Sequence, residues 1–228
     1  MNDRDLLKEL ESLGTEQTRK TYLSHGVSEK VFGVSYADLG KLQKRLKTNH
    51  ELAGKLWPSG IHDAKILAVM IADPAQLSAK EIDTWSHSVS NYMQSDALAG
   101  LVSKTRFAAA TAAKWIRSKD AWVCSAGWQL VSVLAQRDES LPDSFFLPHL
   151  ETITNDIHRA QNRVRYAMNG ALIGIGVRNS KLEKKAMAVA AKIGKVEVDH
   201  GDTACKTPDA ASYIRKTLAY KKAKAAKG

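Results

Sequence analysis

Cysteine is scarce in this chain: Cys124 and Cys205 are the two in 228 residues. Two cysteines cannot make a disulfide framework, and they suit a reducing compartment. Proline is scarce too, five in all, which leaves room for many uninterrupted helices. Long apolar runs are missing. The longest, ALIGIGV at 171–177, falls far short of the ~18–20 residues a membrane span needs, so no membrane partner is expected. The first residues, MNDRDLLKELESLG, lack the apolar core of a secretory signal. Alternating β-branched runs are also scarce, and with them any expectation of a sheet. These absences point to a cytoplasmic protein built from helices.

What is present is positive charge, unevenly spread. Apolar residues make up 44% and charged residues 25% of the chain, ordinary values for a folded domain. The net charge is +10. Residues 1–100 hold 12 Lys and Arg against 13 Asp and Glu, whereas residues 101–228 hold 22 against 11. The surplus therefore belongs to the second part, and it survives removal of the lysine-rich ending KKAKAAKG. A basic half suggests a polyanionic partner, most often nucleic acid. A solvated lysine-rich surface is the plainer alternative.

Alanine, leucine, lysine and glutamine dominate, and the spacing predicts short helices joined by tight turns. The first two are DRDLLKELES and TEQTRKTYLS, the second capped by Thr15. SYADLGKLQKRLKT carries Leu39, Leu42 and Leu46 on one face, with Ser35 as cap. HELAGKLW and HDAKILAVMIAD follow, and Ser78 with Glu81 forms a capping box before SAKEIDTWSHSVS. Further helices are predicted near 94–102, 106–118, 120–136, 144–155, 157–176, 179–193 and 208–222. Helix pairs at this rhythm are the pattern of an all-α, HEAT-like helical-repeat α-solenoid, with an irregular helical bundle as the alternative. One domain is expected over 1–222, followed by a basic tail at 223–228. Residues 194–208, GKVEVDHGDTACKTP, break the rhythm and predict an ordered loop that caps the end of the repeat array.

Three groups of residues can carry chemistry. Tyr92 and Asp96, in SNYMQSDALAG, are four apart and share one helix face. That pair can line a cleft, or it can be a packing ring beside an exposed charge. Cations recur near helix ends: Lys104, Arg106, Lys114, Arg117, Lys119, Arg159, Arg163, Arg165 and Arg178, with Asn162 among them and Lys206 in the loop. They suit a phosphate backbone. Cations also favour helix C-termini on their own account, which covers Arg117, Lys119 and Arg178 but not Arg163 and Arg165. His200 and Cys205, with Asp199 and Asp202, lack the paired spacing of a zinc site. GDTACKTP is not a phosphate loop. No metal and no cofactor is expected.

Several stretches, taken in order, resemble the DNA alkylation repair family of HEAT-like-repeat proteins, whose best-understood branch is the AlkD-like DNA glycosylases. They are VFGVSYADLGKL, LWPSGIHDAKILAVMIA, KWIRSKDAWVCSAGWQL at 114–130 and VRYAMNGALIGIG at 164–176. The likeness spans roughly residues 19–190, and VDHGDTACKTPDAASYIRK looks like a subgroup feature. The resemblance implies a superhelix that binds duplex DNA as a monomer. It also implies excision of alkylated, cationic bases without flipping them into a pocket. In that branch an aspartate stabilises the departing sugar cation or positions water, and aromatic rings contact the lesioned nucleotide. The family's aspartate falls on Asp96 and its tryptophan on Tyr92. Its cleft arginine falls on Ser125, and a further tryptophan on Gly170. Trp85, Trp122 and Trp128 are neighbouring rings that can line the cleft or pack the core. The departures at Ser125 and Gly170 weigh on base release more than on DNA binding. A non-catalytic binder of DNA or branched nucleic acid, and a protein–protein scaffold, are the alternatives.

Overall fold

The computed structural model describes residues 2–201 and 203–226. Asp202, one of the four donors weighed for a metal, lies outside the described residues, as do Lys227 and Gly228 of the expected tail. Among the described residues the chain forms thirteen α-helices and no strand. It packs as two compact units. The first runs to Phe107 and takes in Gly201 and Thr203; the second covers Ala108–His200 and continues from Ala204.

The first unit holds α1 (Asp3–Leu13), α2 (Glu16–Ser24), α3 (Tyr36–Leu46), α4 (His50–Leu56), α5 (His62–Ile71), α6 (Ala79–Ser86) and α7 (Tyr92–Val102). Short polar side chains start most of them. Thr15 accepts from the Thr18 amide and Ser35 from that of Asp38. Ser78 and Glu81 form the reciprocal capping box, and Asn91 accepts from the Gln94 amide. Each such cap satisfies amides the first turn leaves without a helical partner, for about 1 kcal/mol.

At the centre of this unit, α5 packs against α3, α4 and α7. Every residue of α5 but Met70 is buried, including His62, Asp63 and Lys65. Burying a carboxylate is costly unless it is hydrogen-bonded. Asp63 meets that condition by accepting from three consecutive amides: Phe32 (2.6 Å), Gly33 (3.4 Å) and Val34 (2.7 Å). The Phe-Gly-Val that leads into α3 is thereby locked to α5. Gly33 sits at φ 86°, and a Cβ there would come within 2.5 Å of the Thr15 carbonyl oxygen. Only glycine fits both the backbone angle and the close approach.

The second unit holds α8 (Ala108–Trp115), α9 (Ala121–Arg137), α10 (Asp143–Asp156), α11 (Asn162–Gly176), α12 (Ser180–Ile193) and α13 (Ala210–Ala225). Its core is the contact of α9 with α11. A Cβ at Gly174 would stand 2.6 Å from Ser132 Oγ, so the missing side chain lets the two helices close up.

The helix expected over 157–176 is broken. α10 ends at Asp156, a 3-10 turn spans Ile157–Arg159, and α11 starts at Asn162. Arg165 reaches back across the break, its Nη2 donating to the carbonyls of His158 (3.2 Å) and Ala160 (3.0 Å). The described residues of 194–208 carry no regular structure, and α11 side chains do much of the holding. Asn162 and Asp199 exchange two hydrogen bonds of 2.7 and 2.8 Å. Arg165 Nη1 donates to Glu197 O at 2.8 Å and Asn169 Nδ2 to Pro208 O at 2.9 Å.

Candidate functional site

The N-terminus of α7 organises a cluster in the first unit. Asn91 caps the helix, which places Tyr92 in the first turn and Asp96 one turn on, on the same face. Asp96 is exposed and Tyr92 half-buried. The Tyr92 hydroxyl is hydrogen-bonded to His25 Nδ1 at 2.9 Å, across 67 residues of chain, and the two rings meet edge-on at 6.0 Å. Tyr36, the first residue of α3, has about half of its surface covered. Its hydroxyl is pushed up to about 12 by burial first, then by Tyr92, Asp96 and Asp63. It therefore stays a neutral donor in the field of Asp96. Tyr22 lies edge-on to Tyr36 at 6.5 Å and to His62 at 5.0 Å, and donates to Val34 O at 2.7 Å.

The structure thus gathers Tyr22, His25 and Tyr36 around the predicted pair. Sequence reasoning missed these three. Nothing local marks them, since TRKTYLSHG and SYADLG read as ordinary helix and loop.

A buried polar floor lies under α7. Glu29 accepts from Lys65 Nζ (2.9 Å), Ser90 Oγ (3.0 Å), Asn91 Nδ2 (3.3 Å) and Gln94 Nε2. His62 Nδ1 stands 3.4 Å from the same carboxylate. Burial pushes the Glu29 carboxyl up. Hydrogen bonds from His62, Lys65 and Ser90, with the charge of Lys65, outweigh that and hold it below its ordinary value. Lys65 also donates to Ser88 O at 2.7 Å. These contacts fix the start of α7, and so the direction of Tyr92 and Asp96, from beneath.

The other predicted cleft residues fare differently. Trp85 stacks on Trp57 with ring centroids 4.5 Å apart and planes 7° from parallel. Trp128 is 2% exposed and lies edge-on to His149 at 5.8 Å. Both rings are buried in core packing. Trp122 is half-buried at the start of α9. Ser125 is 3% exposed, and its hydroxyl points to Arg163 O at 3.5 Å. At Gly170 a Cβ would meet nothing within 4 Å, so that position opens onto free space.

Among the predicted phosphate contacts, Lys104, Arg106, Lys114, Arg117, Lys119, Arg159 and Lys206 are exposed. Lys104 and Arg106 line a cavity of about 470 Å³ with Asp73 and Phe107. Arg159 is paired with Asp156 at 2.8 Å, and Arg163 lies over the Tyr166 ring at 5.3 Å. Arg178 is different. Its guanidinium donates to the carbonyls of Ala135, Asp138 and Leu141 at 2.6–3.0 Å and covers the Phe146 ring. Arg165 is likewise engaged by three carbonyls, and Asn162 by Asp199. These three residues clamp the fold through hydrogen bonds to backbone carbonyls.

In the second unit a cavity of about 880 Å³ lies between α11 and residues 194–200 and 205–210, with Asn169, Cys205 and Lys206 in its wall. Among the described residues no three His, Cys, Asp or Glu side chains converge as metal donors. No helix there is long and apolar enough to cross a membrane.

The described residues form helix after helix and no strand, with Asp96 and Tyr92 on one helix face, and they define an all-α helical-repeat protein of the HEAT-like class. A solved structure from a family related to the HEAT-like repeat DNA glycosylases, with affinity for branched DNA structures, superposes with a TM-score of 0.88 at 34% identity. It covers 97% of this chain and 95% of its own. The family model described as DNA alkylation repair enzyme matches residues 6–214, and the chain belongs to that family. Uncharacterized proteins of Listeria monocytogenes and Listeria innocua are 35% and 34% identical over 214 residues, covering 91% of this chain and 93% of each relative.

Proposed function

We propose that this protein binds DNA through its exposed cations and releases alkylated, cationic purines at the cluster built on Tyr92 and Asp96. The observation that carries the reading is the exposed Asp96 carboxylate beside the rings of Tyr92 and Tyr36, on a helix start braced from below by Glu29. A base that already bears positive charge is a good leaving group. The protein need only favour the sugar cation left behind, and a fixed carboxylate does so electrostatically. The Tyr92 and Tyr36 rings add cation–π attraction for the lesioned base. Lys104, Arg106, Lys114, Arg117 and Lys119 supply phosphate contacts, whose binding should weaken log-linearly with salt. The protein acts as a monomer in a cytoplasmic setting.

The test is release of 3-methyladenine and 7-methylguanine from N-methylated duplex DNA. Asp96→Asn should lower the rate by about 100-fold or more, the scale on which losing one electrostatic stabiliser acts. Full release by the variant would sink the role given to Asp96.

A second reading has its own support. Ser125 is buried against the Arg163 carbonyl and offers no guanidinium, and Gly170 offers no ring. A member lacking both fits a non-catalytic binder of branched DNA, in line with the affinity of its solved relative. No base release by the folded protein, with tighter binding to a fork or junction than to blunt duplex, would select this reading. Binding that is insensitive to salt would instead favour a protein partner.

A further inference from the structure

The last helix, α13, has an outer face that neither reading uses. Its sixteen residues include Arg215, Lys216, Lys221, Lys222 and Lys224 and no Asp or Glu. Its packing sets which side faces inward. Ala210 and Ile214 are buried where α13 meets α11 and α12. Lys221 lies on that inner side too, its Nζ donating to Val177 O at 3.0 Å.

On the other side Tyr213, Lys216, Tyr220 and Lys224 follow one another at spacings of three, four and four. At 100° per residue they form one stripe. Tyr213 is 49% and Tyr220 68% exposed. Arg215 and Lys222, seven apart, run along the opposite flank of the same outer surface. The family match ends at residue 214, so most of this patch lies beyond it.

We propose that the outer face of α13 binds unpaired nucleotides, such as a single-stranded arm of a DNA partner. In this assignment Lys216 and Lys224 meet phosphates, and Tyr213 and Tyr220 stack on bases. The charge selects a polyanion, and the rings select among polyanions. In a duplex each base is already stacked on its neighbours, so a tyrosine outside gains little. An unpaired base offers its π face, and base–aromatic stacking with a basic groove is the usual way such strands are held. The two tyrosines are about 10 Å apart along the helix axis, so each takes a different base. A membrane surface fits less well. An interfacial helix sinks a broad face of large apolar side chains, and here Ile214 faces the protein while Ser212, Ala219 and Ala223 fill the gaps outside. The proposal rests on the reading that the protein binds nucleic acid, and it names the part of the partner that one face recognises.

The experiment measures anisotropy with a labelled blunt duplex, the same duplex bearing a single-stranded arm, and the single strand alone. Wild type is compared with Tyr213→Ala/Tyr220→Ala and with Lys216→Gln/Lys224→Gln. All four positions are exposed, so the variants should keep their helicity, which circular dichroism checks. The arm should tighten binding by wild type. The tyrosine variant should lose about tenfold on the armed and single-stranded probes and nothing on blunt duplex. The lysine variant should lower the single-strand salt slope by about 1.4. An equal loss on all three probes, or no loss, overturns the proposal. So does preferential binding to phosphatidylserine vesicles. Blunt-duplex binding with no effect of the arm defeats this proposal alone, whereas failure to bind any DNA defeats the nucleic-acid reading with it.

Discussion

Replacing Glu29 with glutamine tests whether the buried floor beneath α7 holds the site in place. The substitution keeps the shape of the side chain and removes its charge. Lys65, on α5, is then a buried ammonium without a counter-charge, held by Ser88 O and the Trp57 ring. Removing one member of a buried pair costs about 3–5 kcal/mol, but the Glu29 side is partly solvated, so about 2–3 kcal/mol is expected here. Glu29→Ala should cost more, because Ser90, Asn91 and Gln94 lose their acceptor as well.

The assay is urea unfolding, read as a shift of midpoint at constant slope. The pH dependence follows from linkage. The folded pKa of Glu29 lies below the ordinary 4.5. Its contribution is therefore fully present above that value and is lost as pH falls through the folded pKa. The gap between wild type and Glu29→Gln should be flat near neutrality and close below pH 4.5. A gap under about 0.5 kcal/mol at pH 7, the scale of an ordinary surface change, would refute the reasoning. So would a gap that widens in acid.

The two thiols should separate cleanly. Burial pushes Cys124 up to about 11, whereas Cys205 is exposed, so Ellman's reagent should titrate one thiol quickly and the second only after denaturation. His149 is buried against Trp128 and Phe145, and burial holds its pKa below the ordinary 6.5. Unfolding then takes up a proton that the folded ring refuses, so stability should fall as pH drops below 6.5. His149→Phe should flatten that part of the stability profile, and an unchanged profile would show that the ring titrates freely.

Much of the secondary structure could be read from the chain because its causes are local. A cap such as Thr15, Ser35 or Ser78 acts on an amide three residues away, and a helical stripe repeats every three or four. The likeness to the DNA alkylation repair family was legible in the order of several short stretches. The proximity of Tyr92 and Asp96 followed from helix spacing alone.

Other features depended on chain that is far away in sequence. Asp63 meets Phe32 and Val34 across about thirty residues. Tyr92 meets His25 across 67. The guanidinium of Arg178 goes to carbonyls 37–43 residues earlier, where sequence alone suggested phosphate. The rings of Trp85 and Trp128 could line a cleft or pack a core, and their buried neighbours are known only from the fold. An arginine or tryptophan states what it can bind, but which partner it meets depends on segments that come together only when the helices pack.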